Sequence, residues 1–338
     1  MQRAYGLDEI DKRKLSFLYH QSSINTRYSV IEDFGNPEAD WTFIPKDVTK
    51  PFPCLDARMK LYAQEALPLS VAAIGQCIEG IIEPAEISHL ITVSCTGMSA
   101  PGLDLQVYEA MNLSPNIFRT SVNFMGCYAA IHALKLAGMI CDTTPGANVI
   151  IVATELCTLH FQKEFTIDNA ASSLLFADGS AAVLVSNNAS HKKTINLQSF
   201  YSQIALKGKG DMSWEISTKG FLMTLSSYIP QLIQEDIAAL VHAALRHANL
   251  TVEDITHWCI HPGGKKILEV IQKQLQLCDC KLSYSRNVLA NYGNMSSASI
   301  LFVLKDMMEN MNGEPANVFG VAFGPGLTME TFIATTKE

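Results

Sequence analysis

The strongest constraint on this chain is that it echoes itself. An apolar run ending at Cys95 is followed by Gly126-Cys127, where an Ala-rich helix opens, and then by Ala147-Asn148-Val149-Ile150-Ile151-Val152-Ala153. Further on, an apolar run ends at His261, Gly293-Asn294 opens another helix, and Ala316-Asn317-Val318-Phe319-Gly320-Val321-Ala322 follows. The interval from Cys95 to Gly126 differs by one residue from that between His261 and Gly293, and each half closes on one more short apolar run. A single match of this kind arises readily by chance, but several in the same order point to a repeated unit. The expectation is two related halves, residues 1–190 and 191–338, joined by a pseudo-two-fold. In that frame Cys127 and Asn294 occupy symmetric helix starts, with His261 at a strand end near both.

Short apolar runs at 89–93, 149–153, 181–186, 257–260, 318–322 and 330–334 read as strands. They alternate with helical stretches such as 57–82, which Pro84 ends, and this alternation specifies an α/β class. Residues 1–55 read as a lead-in arm, helical through Leu7, Ile10, Leu15 and Leu18 and irregular beyond Asn36-Pro37. With 338 residues, 48% hydrophobic and 17% charged, the chain can bury a core in both halves. A net charge of -8 offers no attraction for a phosphate backbone, so nucleic acid is not expected as a partner. No apolar run is long enough to span a bilayer, so no membrane association is expected. Nine cysteines, an odd number scattered through apolar runs, read as reduced thiols and favour a cytoplasmic location.

Cys127 is placed by this reading in the first turn of its helix, where unpaired amides and the macrodipole favour a thiolate nucleophile. Taken alone, a cysteine there fits a packed structural thiol better, because free cysteine is so often buried. His261 opens His261-Pro262-Gly263-Gly264, a segment suited to a functional loop or to a tight turn that satisfies the ring; Asn294 suits a helix cap as well as a site. Only as a set do Cys, His and Asn make a chemical case. Thioester condensation needs a nucleophile and donors for an enolate, without metal or redox carrier. No Gly-x-Ser-x-Gly elbow, Walker loop or dinucleotide fingerprint competes, and Cys278-x-Cys280 lacks the second pair of a zinc site.

Four segments carry a family resemblance. Asn123-Phe124-Met125-Gly126-Cys127-Tyr128-Ala129-Ala130, Ile260-His261-Pro262-Gly263-Gly264, Tyr292-Gly293-Asn294-Met295-Ser296-Ser297-Ala298 and Phe323-Gly324-Pro325-Gly326-Leu327-Thr328 resemble, in order and spacing, the signature segments of type III polyketide synthases, the chalcone synthase-like enzymes. The resemblance runs from about Lys14 to the end. It implies a homodimeric thiolase-like fold of two βαβαβ-type halves in a five-layered αβαβα arrangement. It also implies acyl-CoA and malonyl-CoA as substrates, with no cofactor beyond these coenzyme A thioesters and no metal. Cys127 would carry the acyl chain, while His261 and Asn294 would hold thioester carbonyls and the enolate formed by malonyl decarboxylation. Phe176 would guard the coenzyme A tunnel; Lys14, Gly263 and Gly264 would meet coenzyme A; Ser296, Gly324 and Pro325 would line the substrate cavity.

Departures from the plant-type pattern fall around the pocket. Cys95 and Cys157 stand where plant enzymes have threonine, His160 replaces another threonine, Met223 replaces a phenylalanine, and Trp214 stands at a glycine. Cysteine and methionine suit an aliphatic chain, whereas Trp214 shrinks the cavity. Such cysteines resemble bacterial members that form naphthalene, alkylpyrone or alkylresorcinol products. Phe17 and Gln21 fall where the family has two further coenzyme A-binding bases, and the family's opening strand has no counterpart ahead of the arm. A ketoacyl-ACP synthase III-like enzyme and a non-catalytic condensing-fold subunit are the alternative readings.

Overall fold

A computed structural model describes residues 2–47, 49–188, 194–226 and 228–336; the boundary drawn between 190 and 191 lies outside these. The arm carries α1 (Gln2–Tyr5) and α2 (Glu9–Gln21), whose start is capped by the Asp8 carboxylate accepting from the Asp11 amide. The first half follows as α3 (Leu55–Ile78), β1 (His89–Ser94), α4 (Leu103–Ala110), β2 (Phe118–Asn123), α5 (Ala129–Thr143), β3 (Asn148–Leu156), α6 (Ile167–Leu175) and β4 (Asp178–Ser186). The second runs β5 (Ile195–Ile204), a hairpin of β6 (Met212–Ser217) and β7 (Gly220–Leu225), α7 (Ile229–His247), β8 (His257–Ile260), α8 (Lys265–Gln274), α9 (Ser283–Tyr292), α10 (Ala298–Asn310), β9 (Asn317–Gly324) and β10 (Thr328–Thr336). All six expected strands are present. Four others escaped the periodicity because they are polar or half-exposed: β2, β5 and the β6–β7 hairpin.

Two sheets, ordered β2-β1-β3-β4 and β5-β10-β9-β8, stack with helices between and outside them. Strand alternation builds these layers. Ile91, Val93, Val149 and Ile151 of one sheet, and Val318, Ala322 and Phe332 of the other, point inward onto α5 and α10. Leu90, Ile150 and Val152 point outward onto Ile74 and Ile78 of α3, while Phe319, Val321 and Ile333 point outward onto Ile233 and Ile237 of α7. The result is the five-layered αβαβα arrangement.

The two sheets share their register. β1 runs parallel to β3 with His89 opposite Val149, and β8 parallel to β9 with His257 opposite Val318; in each half the next strand returns antiparallel. This register corrects the echo by two residues: His261, four past His257, corresponds to Val93, four past His89, and not to Cys95. The sheets differ at both edges: β1 is flanked by β2, whereas its counterpart β8 is outermost among the described residues. β10 is flanked by β5, whereas β4 is outermost among the described residues and only partly buried.

One reading of the cysteines is overturned. Cys278 and Cys280 are disulfide-bonded, with Cα atoms 5.5 Å apart. The bond joins near neighbours and closes no framework; seven other cysteines are free.

Candidate active site

The two central helices both start at one cavity, but they are approached differently. β2 leads into Phe124 and Gly126, both at positive φ, so the chain turns sharply ahead of α5. A Cβ on Gly126 would collide with the Pro325 ring, so glycine here allows the Pro325 loop to close on the nucleophile segment. Cys127 lies in the turn just ahead of α5, two residues before Ala129 and not within the helix itself. At the other start, α9 ends on Gly293 at positive φ, and Ser296, also at positive φ, precedes α10 by the same two residues. The mirror position of Cys127 is therefore Ser296, not Asn294, and the Cys127 thiol lies 3.6 Å from the Ser296 hydroxyl.

Asn294 is held on three sides. Its amide donates to Leu175 O and its carbonyl accepts from Ala177 N, both at 2.9 Å, and its Oδ1 accepts from Ser296 N at 2.8 Å. These bonds aim its side-chain NH2 toward Cys127, where with Ser296 it favours the thiolate. Burial outweighs both and pushes the Cys127 thiol up to about 12, so the helix-start field does not ionise it at rest. His261 directly follows β8, its amide donating to Val321 O at 2.9 Å. It is 2% exposed, and neither ring nitrogen has a hydrogen-bond partner. Burial brings it down to about 3, which keeps the imidazole neutral and free to donate into the cavity. The resting pair is thus a thiol and a neutral imidazole.

Beneath the nucleophile lies a carboxyl group. Glu155, fully buried near the end of β3, accepts from Cys95 N and Thr96 Oγ1 at 2.9 Å and from the Ser297 hydroxyl. It ties the end of β1 to the start of α10. Burial raises it to about 7. The Cys95 sulfur accepts from Gly126 N at 2.9 Å, which fixes the turn bearing Cys127. On the far wall Trp214 Nε1 donates to Cys95 O at 2.6 Å, and His160 stacks on Phe221 with ring centroids 4.2 Å apart. His160 bonds Thr96 O through Nε2 and accepts from Phe221 N through Nδ1, and burial brings it down to about 3; it clasps the hairpin as a neutral ring.

Sequence comparison assigns the chain to a family. Residues 6–189 match the model of the N-terminal domain, and residues 196–336 that of the C-terminal domain, of chalcone and stilbene synthases. The chain is a type III polyketide synthase. Among relatives of this synthase, the alpha-pyrone synthesis polyketide synthase-like Pks18 of Mycobacterium tuberculosis is 32% identical over 96% of this chain and 82% of its own length. Among solved structures, PKS-I from the brown alga Ectocarpus siliculosus superposes with a TM-score of 0.88 at 28% identity, covering 97% of this chain and 90% of that one. The C-terminal type III polyketide synthase domain of Steely1 from Dictyostelium gives 0.91 at 26%, covering 98% and 92%. The synthase is accordingly an acyltransferase of the malonyl-CoA-condensing kind.

Most residues singled out in the sequence meet at the synthase's cavity. Cys95, Cys127, Cys157, His160, Phe176, Trp214, Met223, His261, Gly263, Asn294, Ser296 and Pro325 all line it. Three do not. Gly324 lies behind, where a Cβ would run into Tyr128 at 2.5 Å; Gly264, at positive φ, caps α8; and Lys14 is paired with Asp11 on the exposed face of α2. Glu155, Phe221 and Arg27 went unread. Glu155 left a signal, a lone acid within an apolar strand. Arg27, which donates to Phe176 O at 2.9 Å, left none, because its partner is a distant carbonyl.

Proposed function

We propose that the synthase loads an acyl group from an acyl-CoA starter onto Cys127, decarboxylates malonyl-CoA to an enolate held by His261 and Asn294, and joins the two by Claisen condensation. Attack of the enolate carbon on the Cys127 thioester forms the new C–C bond and expels the thiolate, leaving the elongated chain on coenzyme A for cyclisation or another round. The observation that carries this reading is His261, a buried neutral imidazole with both nitrogens unpartnered, beside an oriented Asn294 amide and a thiol. Two neutral donors suit a developing enolate oxygen, since they stabilise charge as it forms without a prior proton transfer. No cofactor beyond the thioesters enters the cycle. Incubation with malonyl-CoA and a series of acyl-CoAs is expected to release coenzyme A and give a pyrone, resorcinol or naphthalene-type product. Cys127→Ala should abolish product; persistence of product in that variant, or turnover confined to acyl-ACP, overturns the reading.

We also propose that the synthase works as a homodimer in the cytoplasm. β2 is an outermost strand with Phe118 70% exposed, and a second copy pairing there would cover an edge that otherwise invites aggregation. Light scattering at micromolar concentration tests this; a monomer contradicts it. The seven free thiols support a reducing compartment.

A further inference from the structure

The cavity has two unlike walls leading away from Cys127. On one side, Phe221, Met223 and Leu225 alternate along β7 and all face inward, forming an apolar strip. On the other, Asn169, Ser172 and Phe176 recur along one face of α6, and the strip is polar except at its end. Phe176 pairs with Asn294 through an isolated bridge, so Ser172 lies one helical turn, about 5.4 Å, farther from the reacting centre. Six serines and threonines line the cavity, and five of them are engaged: Ser29 with Thr158, Thr96 with Glu155, Ser173 with Tyr5, and Ser296 with Cys127. The sixth is Ser172, whose hydroxyl is sealed from solvent yet has no hydrogen-bond partner. A buried hydroxyl is seldom left unmatched, and one that opens on a cavity is matched by whatever fills it, a ligand group or a water.

We propose that Ser172 is a specificity residue whose hydroxyl donates a hydrogen bond to a carbonyl of the chain that passes between α6 and β7. The inference rests on the condensing reading above. A thioester held at Asn294 and laid along α6 presents carbonyls on one side only, and the apolar strip of β7 meets its methylenes. The carbonyl belongs either to the pantetheine amide of the incoming thioester or to a ketone of the grown acyl chain, and both meet the same donor.

The test uses the full chain with Ser172→Ala and Ser172→Thr, assayed with malonyl-CoA and with malonyl S-ethyl thioester, which lacks the amide. Because the hydroxyl supports nothing in the free protein, Ser172→Ala is expected to unfold at the wild-type temperature or slightly above it. An amide partner predicts that KM for malonyl-CoA rises about tenfold in Ser172→Ala while kcat moves little, and that the defect vanishes with the ethyl thioester. A ketone partner predicts a defect with both thioesters and products that stop after fewer condensations by mass spectrometry. Ser172→Thr, which keeps the hydroxyl, should restore most of either loss. Wild-type KM and product lengths in Ser172→Ala, or a lowered unfolding temperature, overturns the proposal. A wild-type chain that forms no Cys127-dependent product is a separate result, and it removes the condensing reading together with this one.

Discussion

The two halves repeat one plan, yet they arrive at their central helices by different routes. In the first, β2 feeds a sharp glycine turn into Cys127 and α5; in the second, α9 occupies that place and delivers Asn294 and Ser296 ahead of α10. An edge strand leaves a thiol at the turn, while a helix end leaves backbone groups that lock an amide. Each approach therefore supplies what the other lacks, a thiol on one side and an oriented side-chain amide on the other. The halves share their frame, and the cavity lies where two short connections differ.

Exchanging the mirror residues breaks this comparison most directly. Cys127→Ser with Ser296→Cys moves the thiol by one hydroxyl contact, to a position fed by a helix end. We expect product formation to fall at least about 10³-fold, because the thiol loses the donors that serve it at 127. Recovery of more than a tenth of wild-type turnover, with unchanged circular dichroism, shows that the two approaches are interchangeable.

Removing the donors sharpens it. His261→Ala and Asn294→Ala should each lower condensation about 10²- to 10³-fold. Because loading depends on Cys127, intact-protein mass spectrometry should still show the acyl adduct in both variants. Loss of the adduct places the donors in loading as well.

A pH series tests the carboxyl group that ties the halves together. Glu155 binds its proton more tightly folded than unfolded, since burial raises it to about 7. Between about pH 4.5 and 7 the folded state thus holds more protons than the unfolded one, so stability falls as pH rises through this window and levels off above it. The slope integrates to roughly 3 kcal/mol as an upper figure. Glu155→Gln should flatten it in denaturant titrations; an unchanged profile assigns the slope to other groups, among them Asp178, which burial raises to about 6.

The hinge glycines give the smallest effect. Gly126→Ala meets both positive φ and the rigid Pro325 ring, whereas Gly293→Ala meets positive φ with Arg27 Cγ at 2.9 Å and Leu175 O at 3.0 Å. Each should cost at least about 1–2 kcal/mol of stability, and Gly126→Ala more, because a proline ring yields less than a flexible arginine stem. Equal losses in thermal unfolding deny that the two turns differ in tightness.

Much of this molecule is written locally. Short continuous apolar runs specified the inner strands, glycines marked the turns, and the echo placed Cys127, His261 and Asn294 at one junction, since each is tied to the end of an element. Of the edge strands, β4 and β8 were legible as apolar runs, but β2 and β5 were not, because polar residues interrupt them and they are half-exposed. The register across each sheet, which moved the partner of His261 from Cys95 to Val93 and that of Cys127 from Asn294 to Ser296, was decided only in three dimensions. So were the ionisation of the thiol and the environment of Glu155. Charge in a protein depends on how much water the whole fold removes from around a group, and no neighbour in sequence carries that information.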